Sequence, residues 1–267
     1  MGGTEPSGMT ETDLTELGRA KKLLENPALI AKLANLIGVP IEKALDMLPS
    51  GASTAIQKAT TTALRKALSA AVYTLGKDDG SRPANIGHKL TVAASGAAGG
   101  AFGLPALAIE LPISTTIMLR SIADIARSKG EDPRSPGTAM ACLEVFALGG
   151  PTASDDASES GYFAVRVALA KALSEAATYI AERGLVEEGA PVLVRLIATI
   201  AARFDVVVSE KAAAQLVPIA GAVGGATVNV LFMDHFQDMA EGHFTVRRLE
   251  RTYGIDVVRA EYDKLPR

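Results

Sequence analysis

The sequence predicts an all-α fold, a helical bundle with two glycine-rich, small-xxx-small apolar helices at its centre. Three observations predict it. Apolar residues recur at helical spacing along most of the chain. Asparagine, proline and glycine sit where helices should start or stop. No alternation of strands with helices occurs, and alternating β-branched runs are few.

The two central helices come from two apolar runs. Leu90–Leu119 spans thirty residues with one formal charge, Glu110, and Ala212–Met233 carries none. Both reach the roughly 20 residues that cross a bilayer. In the first run Gly96 and Gly100, and Gly99 and Gly103, are four apart, so each pair shares a helix face. Gly221, Gly224 and Gly225 echo the pattern in the second. A glycine costs about 1 kcal/mol relative to alanine in a helix. Close approach of a neighbouring backbone is what offsets that cost. Two settings fit, a tightly packed soluble core or contact with lipid.

The remaining elements follow in order. Residues 1–11 read as a disordered leader, and residues 12–83 as an N-terminal helical region that could form a lid or docking surface. Leu14, Leu17, Leu23 and Leu24 have roughly helical spacing. Asn26-Pro27 supplies an N-cap and an N1 proline for a second helix ending at Gly38. Ile41–Leu48 is a short third helix and Ser53–Leu75 a longer one. Breaker residues from Gly76 to Pro83 set the boundary before the core, residues 84–267. A helix over Ile86–Phe102 precedes one over Pro105–Ser128, in which Pro112 deletes a backbone bond. Thr138–Leu148 is a short apolar helix. Gly149–Gly161 is a polar linker, and Tyr162–Arg183 and Pro191–Phe204 are helices. Val206–Val208 could be an isolated strand before a helix from Ser209. Thr227–Tyr253 is one long helix and Ile255–Lys264 closes the chain.

Composition removes several functions. The net charge is −3, without the basic excess of a nucleic-acid binder. Tryptophan is absent and aromatics are 4%, which disfavours stacking platforms and the aromatic belts of a multi-span membrane protein. The single cysteine, Cys142, forms no intramolecular disulfide or cysteine zinc cluster and reads as core. The acidic N-terminus is not a signal peptide, so cytoplasmic residence is the expectation.

Chemistry concentrates in polar residues stranded in apolar sequence. Glu110 must be paired, hydrogen-bonded or protonated if buried. Glu144 is a second lone acid, and Arg120 is a candidate partner for it or for Asp124. Asp234, Asp238 and Glu241 share one helix face. His235, Met239 and His243 share the adjacent one, with Gln237 between. Such residues suit a hydrogen-bonded seam, a general acid–base role for His235, or a divalent metal. Neither Glu-x-x-His nor His-Glu-x-x-His occurs, so no metal and no cofactor is expected. No P-loop, dinucleotide fingerprint or nucleophile elbow occurs either. Arg247, Arg248 and Arg251 form a basic face suited to solvent or to acidic lipid headgroups.

Several segments carry a family resemblance. They are Gly87-His-Lys-Leu-Thr with the glycine run, Glu110-Leu-Pro through Met118-Leu-Arg120, Gly130-Glu-Asp and Cys142-Leu-Glu-Val-Phe-Ala-Leu-Gly. Further on come Val208-Ser-Glu-Lys211, Asn229, Phe232-Met-Asp-His-Phe-Gln-Asp, His243-Phe and Leu249-Glu-Arg-Thr-Tyr-Gly254. Over about residues 85–260 the chain resembles the EcsC family, named after a product of a bacterial ABC-transporter operon. The resemblance implies an association with membrane transport or secretion. Some members carry a peptidase label, but no catalytic residues come with it. Two functions are therefore expected to compete. One is a cytoplasmic protein at the inner face of the membrane that contacts lipid or an apolar small molecule, and through it a transporter. The other is a hydrolase, peptidase-like or metal-dependent, using His235, Asp238 and Glu144. A purely structural protein with a satisfied polar seam is the third reading.

Overall fold

The computed structural model describes residues 8–25, 28–74, 104–149, 161–184, 189–217 and 222–266. Among them are ten α-helices and no strand. They are α1 Glu11–Leu24, α2 Ala28–Ile37, α3 Ile41–Asp46, α4 Ala52–Thr74 and α5 Leu104–Ser128. The rest are α6 Pro136–Leu148, α7 Gly161–Arg183, α8 Pro191–Leu216, α9 Ala222–Tyr253 and α10 Ile255–Lys264.

Local chemistry explains most of the boundaries. Thr10 caps α1, its hydroxyl accepting the Asp13 N–H at 3.1 Å, with Glu11 and Asp13 in the positive first turn. Thr10 and Glu11, expected from the sequence to lie in the leader, are thus the cap and first residue of α1, and Met9 is already buried. Proline occupies the first turn of α6 and of α8, where its missing N–H costs nothing. Gly254, at φ +88°, separates α9 from α10.

Helix α6 is enclosed on every side. Each residue from Thr138 to Leu148 is buried, and α4, α5, α7, α8 and α9 all pack against it. Phe146 starts an aromatic cluster with Phe204 at 5.1 Å and Phe236 at 5.3 Å, completed by Phe232. Helix α4 lies along α5, and α1 along α9. Ile56 and Leu64 of α4 share one continuous core with Leu111 and Phe244. The N-terminal helices are thus built into the same core rather than laid over it as a lid.

The strand expected at Val206–Val208 is absent, because α8 runs unbroken through it. Phe204, Val207, Val208 and Lys211 recur at helical spacing and are wholly buried. Burial of that stripe overrides the weak β preference of valine. The uncharged run Ala212–Met233 is divided between the end of α8 and the start of α9, so it is not one continuous helix. The helix expected over Ile86–Phe102, with Gly96, Gly99, Gly100 and Gly103, lies outside the described residues, as does Gly221. Gly224 and Gly225 fall in the first turns of α9.

Two other glycines mark close approaches. A methyl group on Gly242 would lie 2.7 Å from Leu24 Cγ and 3.0 Å from the Ala20 carbonyl, so α1 and α9 meet over bare backbone. One on Gly149 would lie 2.5 Å from His235 Nε2.

Candidate functional site

Three helices deliver one polar group each to a buried triad. Glu110 comes from α5, Lys211 from α8 and Asn229 from α9. Lys211 Nζ donates to both Glu110 oxygens, at 2.9 and 3.0 Å, and Asn229 Nδ2 donates to Oε1 at 2.8 Å. The ammonium also lies 4.7 Å from the Phe232 ring centre. Burial pushes the Glu110 carboxyl up, but the Lys211 charge and the hydrogen bonds outweigh it and hold the group below its ordinary range. The stranded acid is thus paired and ionised. Lys211 was visible in the sequence as the last charge before the uncharged run, yet spacing alone did not join residues a hundred positions apart.

A second cluster forms where α6, α7 and α9 meet. His243 Nδ1 is 3.0 Å from the Tyr162 hydroxyl, and its Nε2 is 3.6 Å from Glu144 Oε2, just beyond hydrogen-bonding reach. Burial pushes Glu144 up to about 7, and burial pushes His243 well down. Near neutral pH the imidazole is therefore uncharged and the acid is about half protonated. Either the tyrosine donates to Nδ1, or a protonated Nδ1 donates to the tyrosine, leaving Nε2 as the acceptor facing the acid. Arg166 flanks the cluster, bound through both guanidinium nitrogens to Glu250 at 2.6 and 2.9 Å. Nothing in the local sequence marked Tyr162 or Arg166 as members.

The other candidates separate. His235 is bonded through Nε2 to the Gly149 carbonyl at 2.9 Å, and burial lowers it to about 4. Gln237 donates to Ser121 Oγ at 2.7 Å. Glu241 pairs with Lys129 at the surface, while Asp234 and Asp238 are half-buried on α9. Arg120 is exposed on α5 and is not the partner of Glu144. The helix rotates it outward, and Asp124 contacts Arg127 at 3.5 Å. Among the described residues no group of three or more His, Cys, Asp and Glu is placed to hold a metal ion.

The basic face at the end of α9 is neutralised within the fold. Arg247 and Arg251 both bind Glu131, and Arg248 bridges Asp13 and Glu16 at 2.8 Å each. These arginines join α9 to the turn after α5 and to α1 through charge-assisted hydrogen bonds.

The fold and its clusters define an all-α protein whose helices are cross-tied by buried charges and amides. The chain belongs to the EcsC protein family, which matches it over residues 11–249. That span takes in α1 to α4, beyond the segments that carried the resemblance. No curated protein and no solved structure matches the chain.

Proposed function

We propose that the protein is membrane-associated and meets lipid through the outer face of α5. The observation that carries this reading is an exposed, uncharged stripe on that helix. Ile109 is 71% exposed and Ile113 48%, four residues apart, with Ala108 beside them and half-buried Ile117 one turn on. The only acid of this stretch, Glu110, is turned inward and neutralised by Lys211. Arg120, exposed at the end of the stripe, suits the headgroup level above an apolar contact.

Among the described residues Ala106–Ser128 is the one helix long and apolar enough to cross a membrane, but 61% of its most apolar stretch is buried inside the fold. Lying on the surface therefore suits it better than spanning. The contact would sit on the cytoplasmic face of the membrane, next to the ABC-transporter or secretion machinery that the family resemblance implies. The hydrolase reading gains no support. Glu144 faces His243, and His235 is held by Gly149.

The test is co-sedimentation with vesicles of phosphatidylcholine and phosphatidylglycerol. The wild type should sediment, and Ile109→Asp/Ile113→Asp should stay in the supernatant with an unchanged circular-dichroism spectrum. Equal sedimentation of both proteins, or of neither, overturns the proposal.

A further inference from the structure

The Tyr162 side of the Glu144, His243 and Tyr162 cluster is covered by helix α10. Tyr262 of α10 is wholly buried and stacks on Tyr162, ring centres 5.8 Å apart and planes 27° apart. It meets Phe163 edge-on at 5.1 Å, and Arg259 lies 5.6 Å from the same ring. Tyr262 thus lies against Tyr162, Tyr162 against His243, and His243 against Glu144.

Helix α10 is attached lightly. Of its ten residues only Val258 and Tyr262 are buried. It follows Gly254, whose positive φ lets the chain turn between two helices. Its far end is held by α1. Lys21, itself buried, donates to the Tyr262 carbonyl at 2.9 Å and the Leu265 carbonyl at 2.8 Å. A cation there satisfies carbonyls that a helix end leaves orphaned and complements their negative dipole. The helix also lies beyond the residues matched by the family.

We propose that α10 is a releasable cover over the Glu144–His243–Tyr162 cluster, pivoting at Gly254 and pinned to α1 by Lys21. A helix with two buried side chains opens at far lower free energy than the core beneath it. Beneath it, the Tyr162 ring is the first group that opening would present to water or a ligand, with His243 Nδ1 3.0 Å behind its hydroxyl. Opening therefore brings solvent to the Tyr162 side of the imidazole.

The experiment labels the full chain with diethylpyrocarbonate near neutral pH and locates modified histidines by peptide mass spectrometry. His243 should be protected in the wild type. In Lys21→Gln its labelling should rise about tenfold or more, as expected for a local opening. His235, pinned to Gly149, is the internal control. Continued protection of His243 in Lys21→Gln overturns the proposal, and so does equal acceleration at His235, which would mean general loosening. Should that variant fail to fold, amide exchange of the wild type decides. Exchange of Val258–Lys264 with α1 and α9 still protected supports a cover. Exchange only together with global unfolding overturns it.

Discussion

Lys211 Nζ sits 2.9 and 3.0 Å from the two carboxylate oxygens of Glu110, and neither group reaches solvent to any extent. This pair ties α8 to α5 across the middle of the bundle. Desolvating both charges is expensive, so such a pair need not stabilise the fold relative to apolar residues. Breaking it from one side is a different matter, because the other charge stays buried. Lys211→Met should therefore cost about 3–5 kcal/mol in urea unfolding, and Glu110→Gln/Lys211→Met should recover most of that loss. Additive single losses, with no recovery in the double variant, would refute the coupling.

Glu144 gives the stability a pH dependence of known sign. Burial raises its folded pKa from the ordinary 4.5 to about 7. Its favourable share is present below pH 4.5 and is lost as pH rises through 7. Glu144→Gln removes that dependence. The variant should gain a few kcal/mol on the wild type between pH 4.5 and pH 8, read from urea midpoints along the series. His243 acts in the opposite sense, since its lowered pKa gives stability present above 6.5 and lost as pH falls. A constant wild-type-to-variant difference across the range would show that Glu144 titrates normally.

Gly242 is where α1 comes closest to α9. Gly242→Ala places a methyl group 2.7 Å from Leu24 Cγ and 3.0 Å from a backbone oxygen that has no rotamer to escape into. The expected cost is about 1–3 kcal/mol of unfolding free energy. Gly189→Ala, which meets nothing within 4 Å, is the control and should be near neutral. Equal thermal midpoints for the two variants would contradict the close approach.

Cys142 lies wholly buried in α6, and burial pushes its thiol far above the ordinary range. The thiolate is the reactive form, so the native protein should resist iodoacetamide and react promptly in denaturant. Rapid alkylation of the native state would mean that α6 is less enclosed than described.

The residues legible in sequence were those whose signal is local. Pro191 announces a helix start through its own ring. Helical spacing of leucine and alanine marked α4, α7 and α9 close to their observed limits. Glu110 and Glu144 stood out because a lone acid in an apolar run must find a partner somewhere.

Which partner it found was settled only by the assembled bundle. Glu110 met Lys211 and Asn229 from two other helices, and Glu144 met His243 rather than Arg120. His235 and His243 share a face of α9 yet end in different environments, one against Gly149 and one beneath Tyr162. A helix's period is written within a dozen residues. The rotation and depth at which helices cross depend on every side chain of both surfaces at once, and those surfaces are drawn from positions a hundred residues apart.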